Sequence, residues 1–184
     1  MPANIQGNSF LSTVWKSGVI RTERGIKYRN LLLKFDAYNN QLVFQLNDSI
    51  FRFTEPVKEF ILHTTSEEKT VGEKFIKSSL LHSLLPGDFV QMLATGKLKM
   101  YRHYKKIVVA LAAYNAVSTK QFEDNISYYI VRDNILWPFI LNKKKAEEMF
   151  KDKWVEVAAY MEQNKLSLKN ETGLVAAVTF YNSL

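Results

Sequence analysis

The 184-residue sequence predicts an α+β protein, an antiparallel β-hairpin-rich sheet or half-barrel followed by a small C-terminal helical unit. Three observations predict it. Short apolar runs follow one another from Val19 to Phe139, several alternating at period two. Turn pairs at Asn39-Asn40, Asn47-Asp48, Thr95-Gly96 and Asp133-Asn134 punctuate those runs in the manner of hairpins. After Leu141 the apolar period becomes helical.

The strands follow in order. Gly18 and Gly25 flank Val19-Ile20-Arg21-Thr22, and Leu31 to Asp36 comes next. Gln41 to Leu46 alternates, Asn47-Asp48 turns the chain, and Phe51 and Phe53 share a face in the run that follows. Val57 to His63 and Val71 to Ile76 are further strands, with a polar loop at Ser66 to Lys69 between them. Ser78 to Leu85 fits either period until Pro86-Gly87 stops it. Phe89 to Ala94 and Lys97 to Lys106 form a hairpin about Thr95-Gly96, and Ile107 to Ala113 suits a strand or a short helix. Ile126 to Val131 and Ile135 to Phe139 bracket the last hairpin.

Asn142 is an expected N-cap for Lys143 to Phe150, Asp152 for a helix reaching Asn164, and Asn170 for a third helix to Tyr181. Trp154, Val157, Ala158 and Met161 lie on one helical face, as do Leu174, Ala177, Val178 and Tyr181. Residues 1–184 are therefore expected to form a single domain, with a β-rich body at about 13–141 and a helical tail at about 142–184 packed on it.

Hydrophobic residues at 47% and charged residues at 23% exclude disorder and fibrous repeats. The absence of cysteine removes disulfides, thiolate catalysis and cysteine-held metal. No apolar run approaches the roughly 20 residues of a membrane span. The first residues lack the basic and apolar regions of a signal peptide.

Candidate chemistry is sparse. His63, His82 and His103 make no metal-ligand spacing, and the glycines form neither a dinucleotide nor a phosphate loop. The acid pairs Glu67-Glu68, Glu123-Asp124 and Glu147-Glu148 read as solvated. No catalytic residue, metal ligand or cofactor is expected. Charge is more informative: the net +7 is concentrated between Phe89 and Phe122, which holds six bases and no acid. At strand period Lys97, Lys99, Tyr101, His103 and Lys105 share a face, a basic and aromatic pattern that can meet a polyanion. The alternative is an exposed face neutralised by water and by acids distant in sequence.

Several stretches together, Ser17 to Gly25, Lys34 to Phe44, Pro56 to Phe60, Gly96 to Arg102, Ser127 to Val131, and Asn164 to Lys169 with Phe180 to Leu184, resemble a family of small exported bacterial proteins of unknown function. The resemblance implies a β-rich hairpin body with a short helical tail and a periplasmic or secreted location. It brings no catalytic or binding residues with it. The expected function is a non-enzymatic exported or periplasmic protein that binds a partner or serves the envelope. The alternative is a nucleic-acid or other polyanion-binding module using strand 97–106, and the third reading is an uncharacterised hydrolase.

Overall fold

The structure, a computed structural model, describes residues 5–65, 70–80, 87–111 and 119–184. The fold class is α+β, with eleven strands and three α-helices among the described residues. The strands are β1 (Ile5–Gln6), β2 (Lys16–Thr22), β3 (Lys27–Asp36), β4 (Gln41–Leu46), β5 (Ser49–Arg52), β6 (Val57–Thr65), β7 (Thr70–Lys77), β8 (Phe89–Ala94), β9 (Leu98–Leu111), β10 (Thr119–Arg132) and β11 (Ile135–Phe139). The helices are α1 (Lys143–Met149), α2 (Trp154–Gln163) and α3 (Glu171–Ser183). The chain divides into two compact units, Met1–Lys77 with Tyr104–Ile126, and Ser78–His103 with Ser127–Leu184. Strands β9 and β10 contribute residues to both.

In the first unit the strands lie in the order β7-β6-β2-β3-β4-β5, each antiparallel to its neighbour. One face of this ladder is the core. Phe60 stands opposite both Ile20 and Phe75, and all three are buried because the registers place them in one row. Phe35 closes on the rings of Phe60 and Phe75 at 5.6 and 5.8 Å. Gly18 is required where β2 meets β6, since a Cβ there would stand 2.4 Å from the carbonyl oxygen of Ile61.

The turns explain the registers. Asn47 and Asp48 both have positive φ, at 48° and 61°, and join Leu46 to Ser49 as a two-residue hairpin of the kind that matches strand twist. Between β3 and β4 the Asp36 carboxylate accepts from the backbone N–H of Tyr38 and Asn39 at 3.1 and 3.0 Å. The sequence did not foreshadow β1, which pairs in parallel with β10, because two residues show no period.

The second unit puts helices on strands. In its β8–β9 hairpin Met92 faces Tyr101 and Ala94 faces Met100, leaving Leu93 as a bulge. Asp133 and Asn134, with φ of 51° and 62°, close the β10–β11 hairpin. Leu98, Met100 and Ile130 from these strands form one apolar cluster with Ala146, Phe150, Val157, Met161, Leu174, Ala177, Val178 and Tyr181 from the tail. Trp154 is only partly buried at its margin, so the fully enclosed Val157 and Leu174 carry the packing.

Two of the three expected caps form. Asn142 accepts from Lys145 N–H and Asn170 from Gly173 N–H. Asp152 does not cap α2, whose N-cap is Lys153 without a side-chain bond. Asp152 instead accepts from the Tyr181 hydroxyl at 3.1 Å and lies 3.5 Å from Arg132, a stronger use of a carboxylate than one exposed backbone donor. The Ile107 to Ala113 run is strand as far as Leu111, and residues 112–118 lie outside the described residues. So do the Ser66 to Lys69 loop with Glu67 and Glu68, and the stretch 81–86 with His82 and Pro86.

Candidate functional site

The five residues of the basic strand do not form one exposed stripe. Lys97 precedes the first residue of β9 and is exposed. Lys99 is half-buried. Tyr101 is 2% exposed, and that burial pushes its phenol up. The His103 side chain is 12% exposed, with Nε2 3.1 Å from the Asp88 carboxylate. Lys105 is exposed and belongs to the first unit, whereas the other four belong to the second. The stacking aromatic is therefore inside, and the histidine is engaged.

Acids distant in sequence meet Arg102 and Lys106 of the same stretch. Arg102 donates through Nη1 to both oxygens of Glu171 at 3.0 and 3.1 Å, and through Nε to Gln91 at 3.1 Å. The same Glu171 carboxylate takes a hydrogen bond from Tyr128, whose phenol is pushed up to about 12, first by burial and then by that carboxylate. Lys106 pairs with Asp124. Burial pushes the Asp124 carboxyl up, but the bonds from Lys106 and Tyr104 outweigh it and hold it below its ordinary value. These contacts fix β8, β9, β10 and the start of α3 within the second unit, and in the first they tie β9 to β10. They are framework, not an open anion site.

Glu147 and Glu148 pair with Lys143 and Lys145 on the surface of α1. Among the described residues no group of three or more His, Cys, Asp or Glu side chains could hold a metal ion. Nor, among the described residues, is any helix long and apolar enough to cross a membrane.

Two surfaces of the first unit carry features that periodicity alone did not single out. The first is the sheet edge. All four residues of β5 are exposed, and among the described residues this strand has a neighbour, β4, on one side only. Ile50 is 62% exposed, Leu46 56% and Phe51 44%. Beside this edge lies a concavity of about 240 Å³ whose walls include Tyr28, Leu31, Phe44 and Phe53. The ring of Phe44 sits 5.5 Å from Phe51 and 4.7 Å from Phe53, so the wall is a continuous aromatic surface. The alternation in Ile50 to Phe53 was legible as strand, but only the sheet order shows that no described strand lies beyond it.

The second surface lies on the face opposite the Phe60 core, where Arg21, Lys27 and Arg29 line a shallow concavity with Glu59. Arg21 stands opposite Lys27 on β3 and opposite Glu59 on β6. Burial pushes the Glu59 carboxyl up, but hydrogen bonds from Arg21 and Lys74 prevail and leave it below its ordinary value. The hairpin between Thr22 and Lys27 was a usable signal, since closing it brings two bases face to face. Compared with known proteins, the chain matches no family model, no curated protein and no solved structure.

Proposed function

We propose that the protein is a non-enzymatic, exported or periplasmic binding protein that takes a protein partner along the β4–β5 edge. The observation that carries this reading is the state of β5, an outermost strand with every residue exposed and two large apolar side chains among four. Edge strands are normally blunted by lysine, proline, an inward charge or a covering segment, because their free N–H and C=O groups template further pairing. Among Ser49, Ile50, Phe51 and Arg52 only the arginine blunts this edge. A strand added to β5 would gain ladder hydrogen bonds, and the neighbouring aromatic concavity would take one of its side chains. The compartment rests on the family resemblance of the sequence.

The polyanion reading of strand 97–106 loses support from the burial of Tyr101 and the pairing of Arg102, His103 and Lys106.

A photo-reactive amino acid at position 50, in cells that express the full chain, tests the leading reading. The expected result is one discrete protein adduct in the exported fraction, absent when the probe replaces Val155, which is 77% exposed in the other unit. No adduct at 50, or the same adducts from both positions, refutes the docking edge. An adduct confined to the cytoplasm refutes the compartment.

A further inference from the structure

The concavity on the outer face of the first unit gathers basic side chains. Its residues come from three adjacent strands: Val19, Ile20 and Arg21 from β2, Lys27 and Arg29 from β3, and Glu59, Phe60 and Ile61 from β6. The registers set the arrangement. Lys27, Arg21 and Glu59 form one row across the strands, Val19 stands opposite Ile61 in the next, and Arg29 lies two residues along β3 from Lys27. Period two therefore directs Lys27 and Arg29 to the same side.

Three cations line the concavity with one carboxylate, and that carboxylate is already engaged by Arg21 and by Lys74. Arg21 Nη2 lies 2.8 Å from Glu59 Oε1, and Lys74 Nζ lies 3.2 Å from Oε2. Lys27 and Arg29 make no ion pair among the described residues, and both are exposed. Arg21 carries a further mark: its Nε is buried and has no hydrogen-bond acceptor among the described residues. Buried donors are nearly always satisfied, so this guanidinium is under-partnered among the described residues. An anion suits this place, since Arg21, Lys27, Arg29 and Lys74 stand against the single carboxylate of Glu59.

We propose that this concavity binds a dianionic phosphomonoester group. Two guanidinium groups offer planar pairs of donors, which suit the oxygens of a phosphate, and Lys27 adds a point charge. A carboxylate would bring only half of the charge. The volume, about 280 Å³, has room for one such group with a small organic substituent against Val19 and Ile61. It has no length along which a phosphodiester strand could be tracked.

The test uses the full-length chain and phenyl phosphate, titrated at constant ionic strength and followed by amide chemical shifts. Constant ionic strength removes the general screening effect. Saturable shifts are expected at Arg21, Lys27, Arg29 and Glu59. The double variant Lys27→Gln/Arg29→Gln, at exposed positions that leave the core intact, weakens binding by about tenfold or more, as loss of charge-assisted hydrogen bonds requires. The charge-matched Lys97→Gln/Lys99→Gln leaves it unchanged. Glu59→Gln tightens it, because the competing carboxylate charge is gone. Binding also weakens as pH falls through the phosphate's second pKa of about 6, where the dianion becomes a monoanion.

Phosphatidic acid vesicles form the second arm. Cosedimentation with them that the Lys27/Arg29 variant loses makes a lipid headgroup the source of the phosphomonoester, and binding of phenyl phosphate alone makes it a soluble ligand. Three results overturn the proposal. They are shifts that never saturate, equal weakening in both double variants, and a single-stranded oligonucleotide bound more tightly than phenyl phosphate. None of them bears on the β5 edge.

Discussion

Asp48 holds a left-handed backbone at φ 61° directly after Asn47 at φ 48°, and this pair alone turns β4 into β5. Glycine takes that conformation without a Cβ penalty, and Asn-Gly is the favoured pair for such hairpins. Asp48→Gly should therefore stabilise the chain by roughly 0.5–1 kcal/mol in denaturant melts, while Asp48→Val should destabilise it. A loss on the glycine substitution would mean that the Asp48 side chain has a role in the turn that its backbone does not reveal. Tyr128 permits a pH test at the same scale. Its phenol is held at about 12 against an ordinary 10.0, so the neutral form is favoured in the folded chain. The resulting stability is complete below pH 10, declines as pH rises from 10 towards 12, and is gone above that. Tyr128→Phe has no proton to lose, so its stability should fall less steeply than the wild type's across this window. Equal slopes would show that neither burial nor the Glu171 carboxylate raises this phenol in solution.

The elements are held in register by a few side chains with several partners each. Asn182, near the end of α3, accepts from Leu98 N–H at 2.8 Å and donates to the carbonyls of Leu98 and Thr95 at 2.8 and 3.0 Å. It thereby locks the last helix to the β8–β9 turn. Gly96 in that turn has φ +142°, and a Cβ on it would stand 2.5 Å from Asn182 Cγ. An amide fixed by three hydrogen bonds cannot step aside without losing them. Gly96→Ala should cost about 1–3 kcal/mol, combining backbone strain with the displaced side chain. In the background of Asn182→Ala, where the obstructing group is absent, the cost should shrink, so the two changes should be non-additive in a double-mutant cycle. Strict additivity would sink this account of the turn.

For the molecule as a whole, the second unit has a core that belongs equally to strands and helices. Leu98, Met100 and Ile130 are buried only together with Phe150, Val157, Leu174 and Val178. Leu174→Ala should destabilise the chain by about 2–5 kcal/mol, the usual range for a fully buried leucine. Removing residues 143–184 should expose that strand face, and the truncated chain should bind a hydrophobic dye and aggregate. A soluble, cooperatively unfolding truncation would show that the strands have another way to cover themselves. The cohesion of this unit is thus a joint property of segments separated by a stretch of the first unit's chain, Tyr104–Ile126, and none of its parts would be expected to fold alone.

By itself the sequence determined the class of fold, most strand positions, and the caps at Asn142 and Asn170, because these are set by neighbours in the chain. Period two marks a strand, paired Asn and Asp mark a two-residue turn, and an Asx residue before an apolar helical run marks its start. The tertiary structure decided the rest. Tyr101 has the sequence position of a surface aromatic and is buried, and Asp152 looks like a cap and bonds Tyr181 instead. Ile50 and Phe51 look like core and are exposed at an edge, and Arg21 meets Glu59 only because β2 lies beside β6. Alternation says that a strand has two faces. Which of them is covered, and whether an edge has a neighbour, depends on segments tens of residues away, and no local pattern encodes that.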